Sequence, residues 1–257
     1  MYKHLEKADF QRMLSADADY KIDGLIVIGS HPKAREYPFL YEALKKIGLE
    51  YHEEKIEAPF FSEVKSLVIN NKRIWFDIVY GASYLSELLH VASILGSQAN
   101  ILLGSCGALQ ENLGSGDTIL PSMSYGNEST TRMYQRDNLD YHYPSDENLR
   151  SKIKSFIGQR DIVNEGKMMT VQAMLAESKE DVDNWSKGGY VAVDEESSTV
   201  FAVSNHFSVP SAALLYVADN LIRNELVSDV SYESLREKRM AIKAENYEVA
   251  IRTILGV

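Results

Sequence analysis

Short apolar runs alternate with amphipathic stretches along the whole chain. LIVIGS (25–30) is an aliphatic run ending in small residues, the pattern of a buried strand. YPFLYEALKKIG (37–48) has helical spacing and closes on Gly48. VKSLVIN and RIWFDIVY (64–70 and 73–80) predict a strand pair around an Asn71-Lys72 turn. The next helix takes Ser83 as N-cap and Gly96 as stop, with Leu85, Leu88, Leu89, Ala92 and Leu95 on its buried face. NILLGS (100–105) and DTILPSMSY (117–125) predict strands, and SDENLRSKIKSF (145–156) a helix. GKMMTVQAML (166–175) reads as strand into loop, and SKEDVDNWSKGG (178–189) as a helix ending in two glycines. YVAVDEESSTVFAVSNHF (190–207) reads as strand into helix, and SAALLYVADN (211–220) as strand into loop. A last helix runs from near Ser231 to Leu255 with Leu235, Ile242, Val249 and Ala250 on one face, and LREKRMAIK (235–243) reads as its solvated side.

Strands alternating with helices imply an α/β protein whose largely parallel sheet is covered on both faces. No linker or internal repeat divides the 257 residues, so residues 1–257 are read as a single domain. A composition of 45% hydrophobic and 25% charged residues is that of an ordinary globular chain. The lone Cys106 excludes an intrachain disulfide framework and fits a reducing cytoplasm, and no apolar run reaches membrane-spanning length. The net charge of −10 disfavours nucleic acid as a partner. Expected, then, is a cytoplasmic protein without nucleic-acid or membrane partners.

In such sheets ligands sit beyond the carboxyl ends of the strands. Four of these ends carry unusual chemistry: Gly29-Ser30-His31, Gly104-Ser105-Cys106-Gly107, Asp194-Glu195-Glu196 and Asp219-Asn220. The Gly104–Gly107 loop is either a tight turn or a cradle whose backbone N–H groups and Ser105 hydroxyl meet an oxyanion. One or two of the three acids at 194–196 are explained by the dipole of the helix they open, and a third is free to hold a vicinal diol. Asp219 is either a turn residue or a partly desolvated acid with a raised pKa, able to give up a proton. His4, His31, His52, His90, His142 and His206 show no metal-ligand spacing, so no metal site is expected. Cys106 reads as a small buried residue rather than a nucleophile, and Arg236 as a surface cation able to face an acid.

Taken together these pieces resemble the nucleoside phosphorylase and nucleosidase family, from about residue 24 to the C-terminus. GSCGALQENLGSGDTILP is similar to that family's glycine loop and Gly-Asp strand. VAVDEESSTVFAVSNHFSVPSAALLYVADN is similar to its Glu-Met-Glu segment and Ser-Asp strand end, and GSHPKA (29–34) to its first phosphate loop. The resemblance implies a three-layer α/β/α sandwich around a mixed, partly barrel-like central sheet, assembled as a homo-oligomer (dimer, trimer or hexamer). It implies Asp219 as the acid protonating the leaving base, and Glu196, Glu195 and His4 at the ribose, His4 reaching a neighbouring subunit's site. It further implies Gly29, Lys33 and Ser105 at phosphate, and Tyr125, Gly126, Gln172 and Met174 around the base. The implied reaction is phosphorolysis of a nucleoside, a purine nucleoside in first place, with phosphate as co-substrate and no cofactor.

The departures are specific. Leu102 stands where an arginine of the phosphate site is usual, Lys33 replaces another, Glu195 occupies the methionine position and Gln172 an aspartate position. A lysine does not reproduce a guanidinium's bidentate clamp. Hydrolysis by water is therefore the alternative reaction, and a binding protein without catalysis the alternative of another class. Lys33, Arg132 or a neighbouring subunit are the sources of positive charge left for phosphate.

Overall fold

The computed structural model describes residues 2–56, 64–158 and 163–257, the side chain of Ser231 excepted. In chain order come α1 (Lys7–Met13), β1 (Gly24–Gly29), α2 (Lys33–Ile47), β2 (Tyr51–Glu54), β3 (Lys65–Ile69), β4 (Lys72–Val79) and α3 (Ala82–Ile94). β5 (Asn100–Ala108), β6 (Thr118–Gly126), α4 (Thr130–Tyr134), β7 (His142–Pro144), α5 (Glu147–Ile157) and β8 (Val163–Thr170) follow. The chain continues through α6 (Lys179–Lys187), β9 (Tyr190–Asp194), α7 (Ser197–His206), β10 (Ser211–Asn220), α8 (Val230–Ser234) and α9 (Arg236–Leu255).

The strands form one mixed sheet in the order β10-β6-β8-β9-β5-β1-β4-β3-β2, with β7 beside β6. A further pairing of β10 with β5 closes β5, β10, β6, β8 and β9 into a five-stranded barrel. β1 is parallel to both β4 and β5, whereas β9 meets β5 antiparallel. Leu85, Leu88 and Leu89 of α3 and Val200, Phe201 and Val203 of α7 are buried on one face. Leu40 and Leu44 of α2, Ile153 of α5 and Ala250 and Ile254 of α9 are buried on the other. The result is the three-layer sandwich with a partly barrel-like sheet that the sequence resemblance implied. Among the described residues no helix is long and apolar enough to cross a membrane.

Local chemistry accounts for the element ends. Gly48 closes α2 in the left-handed region (φ 74°), free of the Cβ penalty. Asp146 caps α5 by accepting the Leu149 N–H at 2.7 Å, and Ser178 caps α6 through a capping box with Asp181. The hairpin turn lies at Asn70-Asn71, both with positive φ, one residue before the expected position, because asparagine tolerates that region and lysine does not. α3 starts at Ala82 with Gly81 as N-cap, so Ser83 lies within the helix rather than capping it.

Two larger differences bear on function. The expected Gly104–Gly107 loop is strand: β5 runs to Ala108, leaving β1 after the Gly29–Gly104 pair and continuing along β10 and β9. The last helix is two, broken at Leu235, which is 41% exposed rather than on a buried face. The stretch expected to be solvated contains Arg239, which is only 2% exposed.

Candidate active site

The turn of β5 from open sheet to barrel opens a space at the carboxyl ends of β1, β4, β9 and β10. A cavity of about 300 Å³ occupies it, walled by Gly29, Ser30 and His31, by Ser105, Cys106 and Gly107, by Asp194, Glu195 and Glu196, and by Asp219. The four strand ends singled out from the sequence therefore meet at one place, although Asn220 points away. Its amide donates to the Gln110 and Leu113 carbonyls at 2.9 and 2.8 Å, tying down the end of β10.

The three consecutive acids divide their work. Asp194 is the helix-capping member: its carboxylate accepts from the Thr170 hydroxyl at 2.8 Å and from the Ser197 N–H and hydroxyl at 2.9 and 2.8 Å. Burial raises its pKa to about 6 against these donors. Glu196 lies across the end of β1 and accepts the Gly81 N–H at 3.0 Å. A Cβ on Gly29 would fall 2.7 Å from Glu196 Oε2, so only glycine permits this approach. Burial, and next the charge of Asp194, push Glu196 up to about 8. Below that pH its carboxyl keeps a proton, so it can both donate and accept a hydrogen bond. Glu195 also lines the cavity, and its carboxylate accepts the Met174 N–H at 3.4 Å.

Asp219 owes its position to a register shift. Val217 pairs with Cys106 and Asp219 with Gly107, leaving Ala218 as the extra residue of a bulge. A bulge re-aims the side chains that follow it. Burial raises the Asp219 carboxyl to about 6, opposed by the charge of the buried Arg239. Arg239 donates to Ser115 Oγ at 3.0 Å and lies 3.6 Å above the Tyr232 ring. Cys106 is buried, and burial holds its thiol well above the ordinary range, which rules against a thiolate nucleophile.

His31 packs against Tyr80 with ring centroids 3.5 Å apart and the planes tilted by 32°, and Met174 forms part of the rim. Glu177 completes the acidic side, pushed to about 7 by burial and then by Glu195 and Asp219. Sequence reasoning missed Tyr80, Glu177 and Tyr232, all cavity-lining. Tyr80 had a readable signal, since it ends a strand neighbouring β1; Glu177 lies in a polar segment without periodicity.

Other sequence candidates lie elsewhere. Lys33 is directed at Asp77, 3.4 Å away, and does not line the cavity. Gln172 braces the backbone, accepting from the Ala82 N–H at 2.8 Å and donating to the Glu195 carbonyl at 2.6 Å. Tyr125 packs among Tyr141, His142 and Tyr190, and Gly126 is wedged between Thr131 and Tyr143. His4 is exposed in an N-terminal 3₁₀ turn and does not line its own chain's cavity. Arg132 lies over the Tyr141 ring, and Arg236 pairs with Glu233 on the surface.

The cavity thus joins a half-buried acid with a raised pKa at Asp219, a second carboxyl over a glycine, and a hydroxyl at Ser105 between them in the strand order. Among the described residues no group of three or more His, Cys, Asp or Glu side chains is placed to hold a metal ion. Residues 81–251 match the family model of the phosphorylase superfamily. The chain belongs to that superfamily. A guanosine phosphorylase of Halorubrum lacusprofundi is 27% identical over 165 residues, 64% of this chain and 66% of the relative, just short of two thirds of its length. The uridine phosphorylase of Vibrio fischeri has the same fold, with a TM-score of 0.76 at 18% identity over 96% of this chain and 97% of that one. So does the 5′-methylthioadenosine/S-adenosylhomocysteine nucleosidase of Helicobacter pylori, with a TM-score of 0.68 at 17% identity over 92% of this chain and 100% of that one. Phosphorylases and a nucleosidase thus share the superfamily member's architecture.

Proposed function

We propose that this superfamily member cleaves the N-glycosidic bond of a nucleoside, a purine nucleoside in first place, by phosphorolysis to free base and pentose 1-phosphate. The observation that carries this reading is Asp219, a carboxyl raised to about 6 in the cavity that Glu196 enters over Gly29. Glycosidic cleavage develops negative charge on the base and positive charge on the sugar. A protonated Asp219 neutralises the first, and Glu196 grips the ribose hydroxyls while the sugar flattens. Glu195 meets the sugar beside it, Met174 contacts the base, and Gly29 and Ser105 face the phosphate oxygens. In this reading no metal or organic cofactor takes part, and phosphate is a co-substrate.

Asp219→Asn should keep nucleoside KM within about twofold while turnover falls about 100-fold or more. In the unaltered protein turnover should decline as pH rises past about 6, where Asp219 loses its proton, and the variant should lack that limb. Base release is the measurement, and unchanged turnover in the variant removes Asp219 as the acid. Hydrolysis is the second reading, favoured by a cavity wall with five carboxyl-bearing residues and, among the described lining residues, no lysine or arginine. Full activity in phosphate-free buffer would establish it over phosphorolysis.

We also propose a homo-oligomer in the cytoplasm, in which exposed His4 reaches the ribose site of a neighbouring copy. Sedimentation velocity giving the mass of one chain would refute the assembly.

A further inference from the structure

The cavity wall holds carboxyls, so phosphate needs its positive charge from elsewhere. A second chamber of about 40 Å³ adjoins the cavity and shares Gly29, Ser30 and Ser105 with it. Its far side is formed by Tyr216, Lys243 and Tyr247, the last two from α9. The volume suits a few waters, or the oxygens of an anion whose remainder lies in the main cavity.

The chamber is rich in donors. Tyr216 of β10 pairs with Ser105 of β5, which brings two hydroxyl-bearing side chains to the chamber. Lys243 is 14% exposed at its side chain and its ammonium lies 2.5 Å from Glu36 Oε1. An ammonium has three N–H donors. Among the described residues Lys243 has Glu36 as its hydrogen-bond acceptor, with the Phe39 ring 5.0 Å away on another side. Glu36 is itself matched: Ser30 donates to it at 2.8 Å and Tyr247 at 2.6 Å. The Lys243 ammonium balances that carboxylate's charge and the two hydroxyls orient it, so Lys243 is held at a fixed place with N–H capacity left for the chamber.

We propose that Lys243 is the cation of the phosphate site, a phosphate-binding residue delivered by the C-terminal helix. It supplies the charge that Leu102, an aliphatic residue in the core of β5, does not. Glu36, Ser30 and Tyr247 are positioning residues that hold its ammonium at the chamber wall. This inference rests on phosphate being the co-substrate, and its test separates the two ideas.

The variants are Lys243→Met, and Lys243→Met combined with Glu36→Gln, which leaves no unpaired buried charge if the single change fails to fold. Inorganic phosphate is the probe. Millimolar phosphate should raise the Tm of the unaltered protein and leave that of either variant where it was. In steady state the phosphate KM of the variants should rise about 10- to 100-fold, as expected for loss of a charge-assisted hydrogen bond, while nucleoside KM stays within about twofold. Lys243→Arg should recover part of the phosphate affinity, which a purely structural lysine would not predict. An unaltered protein that phosphate does not stabilise, or variants stabilised as fully as it is, would overturn the assignment. Turnover independent of phosphate, with stabilisation still lost in the variants, would uphold Lys243 as the anion site and remove phosphorolysis alone.

Discussion

Gly29 shows how one residue sets the site. It closes a strand of aliphatic residues, pairs with Gly104 of β5, and receives the Glu196 carboxyl where a Cβ would be. Strand-end glycines and acids were legible in the sequence because apolar runs announce where a strand stops. That Glu196 touches Gly29 was not, since 167 positions separate them and only the sheet brings them together. Gly29→Ala should displace the carboxyl, which has backbone and cavity on its two sides. The expected result is a nucleoside KM raised about tenfold, the loss of a hydrogen bond to a charged or acidic group, in a protein with unchanged circular dichroism. A KM equal to that of the unaltered protein would show that Glu196 does not hold the nucleoside there.

At the scale of elements, β5 and α9 are the two misdescriptions that bear on function, and they arise for different reasons. Small residues at Gly104–Gly107 imitate a loop, but here they let β5 bend from β1 toward β9 and β10 while staying hydrogen-bonded. A Cβ on Gly107 would lie 2.9 Å from the Leu221 side chain, so close packing, not looseness, selects glycine. On α9, Arg239, Lys243, Tyr247 and Ala250 recur at helical spacing, and all four turn inward. Charged residues score as solvent-facing in any polarity pattern, yet long aliphatic stems bury readily when the head finds a partner. Ser115 and Tyr232 serve Arg239, and Glu36 serves Lys243.

Across the whole molecule, closing the barrel gathers ionisable groups that would be far apart in an extended chain. Burial lifts Glu196 from 4.5 to about 8, Glu177 from 4.5 to about 7, and Asp194 and Asp219 from 3.8 to about 6. A carboxyl with a raised folded pKa binds its proton more tightly in the folded state. Its contribution is intact below the unfolded pKa and is lost as pH rises through the folded one. For Glu196 that window runs from 4.5 to about 8. Glu196→Gln should therefore gain stability relative to the unaltered protein as pH increases across it, by about 1.4 kcal/mol for each unit the folded value exceeds the unfolded. Urea unfolding at several pH values measures this, and a difference that stays flat or shrinks with pH would contradict the raised pKa.

The sequence by itself determined the alternation of strands and helices, the strand ends where chemistry gathers, and the resemblance that named the superfamily. Each of these is local, carried by apolar periodicity and by small or acidic residues at its breaks. Only the tertiary structure decided which ends share a cavity, that a bulge at Ala218 aims Asp219 into it, and that α9 turns two cations inward. Those features depend on strand register, barrel closure and partners distant in sequence, and no periodicity along the chain records them.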